Sequence, residues 1–166
     1  MKHFGRNKIK LWQKFKFIKG VIEGIKRMQG VGFKIVVVTN QAGIGLGYFT
    51  KEDFFKVNKK MLQGFYENGI KISKIYFCPH SIDDKCNCRK PKMALFELAK
   101  KDLNIDFKKS FIIGDTDSDI KVGRKVGIKT ILVTTGHGGR NKNYRIKPDY
   151  IVDDLIEASK IMKSKS

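Results

Sequence analysis

The chain is short of acid: its 166 residues carry 35 lysines and arginines against 16 aspartates and glutamates, a formal net charge of +19. It is also short of arginine, which occurs only at Arg6, Arg27, Arg89, Arg124, Arg140 and Arg145; lysine spread along the whole length supplies the rest. Arginine is the residue that grips phosphates and base edges bidentately. The charge therefore describes a lysine-rich surface and argues against a dedicated nucleic-acid binder. No apolar run approaches the roughly 18 residues a membrane span requires. Residues 1–10 are basic and lack the apolar stretch of a signal peptide. Cysteine is scarce as well, with three in the chain, which rules out a disulfide scaffold and points to a reducing, cytoplasmic setting. The length suits one domain with a real core, residues 1–166, with no linker or repeat to divide it.

What cysteine there is lies within residues 78–88. Cys78, His80, Cys86 and Cys88 form a C-x-H-x5-C-x-C pattern inside a loop spanning residues 78–91. Three thiolates and an imidazole are the ligand set of a tetrahedral zinc site, and four protein ligands leave no open position, so the zinc is read as structural. Arg89 and Lys90 follow directly, two cations fixed at the rim of a stiffened loop and suited to an anion such as phosphate.

The rest of the chain alternates helical and strand patterns, which predicts an α/β domain built on a parallel sheet. Phe17, Ile18, Val21, Ile22, Ile25 and Met28 recur at helical spacing, with Gly30 and Gly32 as a stop. The β-branched run at 34–39 is expected to be a strand buried on both faces. A glycine-rich turn at 41–47 leads to a helix opened by Thr50, with Asp53 completing a capping box. Strands are expected at 74–78, 110–114, 129–133 and 150–152. Further helices are expected after Pro91 with Leu95, Leu98 and Ala99 inward, from about Asp119, and from Leu155, the last capped by Asp153-Asp154. Residues 136–147 read as a polar surface loop. Thr39-Asn40, the 78–90 loop and Asp115 all fall just past strand carboxyl ends, the edge at which open α/β sheets bind ligands. Thr39 and Asn40 are either hydrogen-bond donors to an oxyanion or simply a turn. Gly43, Gly45 and Gly47 either let backbone amides reach a ligand or merely make a tight connection.

The stretches at 38–49, Cys78-Pro-His80, Cys86-x-Cys-Arg-Lys-Pro91 and Gly114-Asp-Thr-Asp-Ser-Asp-Ile120 together resemble the zinc-loop subgroup of the haloacid dehalogenase (HAD) phosphatases. That subgroup contains the heptose bisphosphate and the histidinol-phosphate phosphatases, and the resemblance runs over residues 15–161. It implies a Rossmann-like three-layer α/β/α fold, probed by a small phosphorylated metabolite as substrate and acting as a monomer. Thr39, Asn40 and Gln41 would receive phosphoryl oxygens, Lys90 would offset their charge, and Arg89 would reach the rest of the substrate. Asp115 would ligate a catalytic Mg2+, and Asp119 would ligate or brace it; Ser118 is expected to cap the helix there and Asp117 to face solvent.

The same resemblance implies a first motif, Asp-x-Asp-Gly-Thr, whose first aspartate becomes phosphorylated and whose second moves the proton. The sequence shows no such motif: Asp115-x-Asp117 sits in fourth-motif context, Asp83-Asp84 in the metal loop and Asp153-Asp154 at a helix cap. The central strand that carries it is likewise expected to be missing, from a misassigned start, a fragment or a non-catalytic pseudo-phosphatase. The chain as written is then expected to hydrolyse no phosphomonoester. Gly47-Tyr-Phe-Thr50 leans toward a heptose bisphosphate as substrate, with histidinol phosphate as the alternative and a non-catalytic basic binding module as the reading of another class.

Overall fold

The β-branched run forms a strand, β1 (Ile35–Asn40), and pairs in parallel with β2 (Ile72–Cys78). The computed structural model describes residues 11–136 and 146–165. Among these, a second parallel sheet has the order β3-β4-β5, from β3 (Phe111–Gly114), β4 (Lys129–Val133) and β5 (Tyr150–Val152). Helices between parallel strands cover both faces. Helix α1 (Val21–Gly30) and α6 (Leu155–Lys163) lie on one side, with Met28, Ala158 and Met162 packed on Ile131 of β4. Helix α4 (Ala94–Leu103) and α5 (Asp117–Val126) lie on the other, where Phe96, Phe107, Ile112 and Val122 form a second core. Helix α3 (Lys51–Glu67) sends Phe65 into a third cluster with Ile25 and Ile70. The α/β class and the parallel pairing agree with the sequence pattern.

Local signals account for the helix ends. Thr50 accepts from the Asp53 amide while Asp53 accepts from the Thr50 amide, a reciprocal cap. Asp154 accepts from the amides of Ile156 and Glu157 and starts α6. Gly127 ends α5 in the left-handed region, at φ 72°.

Several expectations need correction. The cap of α5 is Thr116, not Ser118: Asp119 is the reciprocal partner, and Ser118 shares a hydroxyl contact with Thr116. The turn after β1 contains a short helix, α2 (Ala42–Gly45). Helix α4 turns Leu95, Phe96 and Ala99 into the core, a face that leaves Leu98 outside it at 46% exposure. Asp117 is half-buried because the first turn of α5 packs at the sheet edge. The loop at 136–147 lies mostly outside the described residues. Finally, β1 is half-buried along its entire length although its sequence suits full burial. Among the described strands β1 pairs only with β2, and β3 only with β4. A cavity of about 1040 Å³ runs between them, lined by Val36, Val38, Phe111 and Ile113 among others.

Candidate active site

Strand β2 ends at Cys78, which is fully buried, and the chain then loops out and back through His80, Cys86 and Cys88. The four ligand atoms lie within 4.8 Å of one another. Cys78 Sγ is 3.7 Å from Cys86 Sγ and 3.0 Å from Cys88 Sγ, and His80 Nδ1 is 3.6 Å from Cys78 Sγ and 3.2 Å from Cys88 Sγ. A tetrahedron with zinc–sulfur bonds of about 2.3 Å has edges of roughly 3.8 Å, so the donors need only relax slightly to fit the ion. Two of the thiols are pulled in opposite directions by their surroundings. Burial and the neighbouring Cys78 and Cys86 push Cys88 up to about 12. Burial also acts against ionisation of Cys86, but donation from the Arg89 amide and from the other thiols outweighs it and brings that group down to about 7. A divalent ion removes this conflict by stabilising all three thiolates at once.

The loop is closed by contacts that sequence reading missed. The Ser81 amide donates to Asp84 Oδ2 at 2.7 Å, the Asp84 amide returns to Ser81 Oγ at 3.3 Å, and these bonds hold the Asp84 carboxyl below its ordinary range. The signal was present as a Ser-x-x-Asp spacing, which is that of a reciprocal cap. Lys92 Nζ donates to the Cys86 carbonyl from the far side. The turn after β1 is clipped onto the same loop: the Gln41 amide donates to the Cys78 carbonyl and the Gly45 amide to the Pro79 carbonyl, both at 2.8 Å. A Cβ on Gly45 would stand 2.6 Å from the Ser81 nitrogen, so glycine is required for that approach.

Past the Cys/His cluster the chain reaches Lys90, whose surroundings define the site. Its ammonium donates to Asp119 Oδ1 at 2.6 Å and to the Val38 carbonyl at 2.7 Å, and its side chain is only 11% exposed. The Lys90 amide donates to Asn40 Oδ1 at 2.9 Å, and Asn40 Nδ2 donates back to the Lys90 carbonyl at 3.2 Å. Asn40 thus spends its side chain fixing the backbone of Lys90. Gln41 Nε2 donates to Thr39 Oγ1 at 3.0 Å, so the Thr39 hydroxyl, already accepting, has its proton to give. Arg89 rests on the loop, with Nη1 3.5 Å from the His80 carbonyl.

Asp119 is buried at the start of α5, and both carboxylate oxygens are engaged: Oδ1 by Lys90, Oδ2 by the Thr116 hydroxyl at 2.7 Å and amide at 3.3 Å. A Cβ on Gly114 would meet the Asp119 carboxylate at 2.4 Å, so glycine at the end of β3 is what admits it. These bonds tie Asp119 to Lys90 and to the start of α5. Asp115, one residue past β3, lies against Gly136, where a Cβ would fall 2.4 Å from Asp115 Oδ2. Thr39, Lys90, Asp115 and Asp119 all line the one cavity between the sheets. The arrangement is a cation, a hydroxyl donor and a carboxylate pair at one strand edge, chemistry that suits a phosphoryl group beside a hard metal ion.

Comparison with known proteins bears directly on this geometry. A HAD-hydrolase-like family model matches residues 87–158. The D-glycero-beta-D-manno-heptose-1,7-bisphosphate 7-phosphatase of Haemophilus influenzae is 35% identical over 156 residues, covering 90% of this chain and 84% of that protein. The enzyme of the same name from Haemophilus ducreyi is 37% identical over 151 residues, covering 86% and 82%. Among solved structures, the D,D-heptose 1,7-bisphosphate phosphatase of B. bronchiseptica, crystallised with magnesium and phosphate, superposes with a TM-score of 0.86 at 24% identity, over 93% of this chain and 88% of that one. The Burkholderia thailandensis phosphatase of that name gives 0.70 at 26% identity, over 89% and 86%.

Proposed function

Because this chain belongs to the HAD-like hydrolases, in the family of the heptose bisphosphate 7-phosphatases, we propose that its site binds the phosphate of a sugar bisphosphate, D-glycero-D-manno-heptose 1,7-bisphosphate, as in hydrolysis through a phosphoaspartate, the nucleophilic aspartate itself not being found in residues 1–166. The observation that carries the reading is Lys90: a buried ammonium held by Asn40 and Asp119 at the mouth of the cavity that Thr39 and Asp115 also line. In this role Thr39 donates its hydroxyl proton to a phosphoryl oxygen, Lys90 offsets the charge, and Arg89 reaches the sugar end of the substrate. Asn40 and Gln41 act one step back, orienting Lys90 and Thr39. The relatives' names support a heptose substrate over histidinol phosphate.

Zinc on Cys78, His80, Cys86 and Cys88 has a structural role: it holds the loop that presents Arg89 and Lys90. Mg2+ belongs on Asp115, with Asp119 as brace, and when bound it supplies Lewis-acid stabilisation of the phosphoryl oxygens. The protein acts in the cytoplasm as a monomer on a small phosphorylated metabolite. No helix among the described residues is long and apolar enough to cross a membrane.

The nucleophile is the open part of the chemistry. Asp119 is committed to Lys90 and to the cap of α5. On this reading residues 1–166 bind phosphate without turning it over. Calorimetry on the zinc-loaded chain with Mg2+ tests both halves: the heptose bisphosphate binds, Lys90→Ala weakens it at least tenfold, and no phosphate is released. A folded protein with no affinity for the ligand overturns the phosphate reading. Turnover that is abolished by Asp115→Ala overturns the claim of inactivity.

A further inference from the structure

Helices α3 and α5 open with the same device. At α3, Asp53 Oδ2 accepts from the Thr50 amide at 3.0 Å and from the Thr50 hydroxyl at 2.8 Å. At α5, Asp119 Oδ2 accepts from the Thr116 amide at 3.3 Å and from the Thr116 hydroxyl at 2.7 Å. Both are reciprocal threonine–aspartate caps. They differ in what surrounds the carboxylate. Thr50 is exposed and Asp53 half-buried, and neither lines the cavity between the sheets. Asp119 does line it, is only 6% exposed, has Gly114 against its side chain and holds the Lys90 ammonium 2.6 Å from Oδ1.

The direction of each proton follows from the chemistry. A carboxylate can only accept, so the single Thr116 hydroxyl proton goes to Asp119 Oδ2. Ser118 Oγ, 2.8 Å from Thr116 Oγ1, is then the donor in that pair. The result is a run of donation from Ser118 to Thr116 to Asp119, met from the other side by Lys90. The last torsion of an aspartate is soft, with broad two-fold preferences. A bond on Oδ2 sets that torsion and with it the direction in which Oδ1 faces. Lys90 spans the cleft between β1 and β3: Val38 takes one of its three protons at 2.7 Å and Asp119 takes another. Two fixed bonds fix the direction of the third, the one Lys90 has to give to an anion.

We propose that Thr116 is a positioning residue for Lys90: its hydroxyl holds the Asp119 carboxylate in the plane that aims the ammonium into the cavity, and Ser118 strengthens that hold. Donation into a hydroxyl polarises it and strengthens the bond it gives in turn. In this role Thr116 acts through Asp119 and not on the ligand. The aim of Lys90 at phosphate rests on the function proposed above; the dependence of Lys90 on Thr116 does not.

The test reads the Lys90 ammonium itself, by heteronuclear NMR of the zinc-loaded chain, with its signal assigned from Lys90→Arg. Thr116→Val keeps nearly the same shape without the hydroxyl. It should speed exchange of the ammonium protons with water and move the signal toward those of exposed lysines. Thr116→Ser should restore the wild-type signal, and Ser118→Ala should shift it the same way by less. Thr50→Val removes the matching hydroxyl from the other cap: it should lower the urea midpoint as Thr116→Val does and leave the Lys90 signal unchanged. Calorimetry with the heptose bisphosphate and Mg2+ should show affinity weakened about fivefold in Thr116→Val and unchanged in Thr50→Val. A Lys90 signal unaltered in both Thr116→Val and Ser118→Ala overturns the proposal and leaves Thr116 a helix cap alone. An equal shift in Thr50→Val overturns it too, by assigning the change to general loosening. Should Thr116→Val fail to fold, Ser118→Ala, which leaves the cap bond in place, decides by the same signal. A wild-type chain that binds no sugar phosphate while its Lys90 signal follows Thr116 overturns the phosphate reading and leaves the positioning standing.

Discussion

Strands β1 and β4 are near twins in composition, Ile-Val-Val-Val-Thr-Asn against Lys-Thr-Ile-Leu-Val, yet only β4 is buried. Strand β4 has a partner on each edge, β3 and β5; β1 has β2 alone among the described strands. The two half-sheets are consequently held by different means. Around β4 the apolar core suffices, with Ile131, Leu132 and Thr130 completely buried and Thr130 tied to Asp149. Around β1 the core is thinner, and the structure leans on the metal loop, which takes the amides of Gln41 and Gly45 and, through Lys90, the Asn40 side chain. Burial of a β-branched run depends on what stands beside it, not on the run itself.

Metal removal is the strongest way to sharpen that contrast. Binding at a structural zinc site contributes on the order of 10 kcal/mol to ordering its ligands. Chelation, or Cys88→Ser, should strip hydrogen-exchange protection from β1 and β2 first and leave β4 protected longest. Equal loss in both half-sheets would show that they unfold as one unit and would erase the distinction.

Core truncation gives a smaller contrast of opposite sign. Leu132→Ala in β4 should cost about 2–5 kcal/mol, the range for a fully buried leucine. Val37→Ala in β1 should cost roughly 1 kcal/mol, because its side chain is only partly buried. Urea midpoints at constant slope measure both. A Val37 cost as large as that of Leu132 would mean that β1 is buried in solution by something beyond the described residues.

Sequence carried the β1–β2 region and the metal loop well, because their information is local. The spacing of Cys78, His80, Cys86 and Cys88 maps onto a cluster within 4.8 Å, and Thr39, Lys90 and Asp115 line one cavity as their positions past strand ends implied. What stayed illegible depends on partners far along the chain. The fifty-residue reach of the Asn40 side chain to the Lys90 backbone has no local signature. The contact of Lys90 with a carboxylate oxygen of Asp119 is of this kind. Leu98 is exposed because Phe96, with Leu95 and Ala99, takes the inner face of α4 in its place. The half-burial of β1 could not be read from its own residues at all.

Asp149 offers the smallest and most selective test, confined to the β4 side. It accepts from the Thr130 amide at 2.8 Å and from the Thr130 hydroxyl at 2.7 Å, and Arg124 stands 3.3 Å away. Burial by itself would raise this carboxyl, but the Thr130 bonds and the Arg124 charge outweigh it, and the group lies below its ordinary value of 3.8. A depressed carboxylate stabilises the fold in full above its unfolded value and loses that contribution as pH falls through the folded one. The wild-type protein should therefore lose the increment only below about pH 4. Asp149→Asn should cost about 1 kcal/mol at neutral pH, a charge-assisted bond discounted for its partial exposure. The difference between wild type and variant should shrink as the pH is lowered through that window, and a difference that stays constant down to pH 2 would assign the effect to packing instead of charge. Protection of β1 should not respond to this substitution, since none of the bonds involved crosses the cleft.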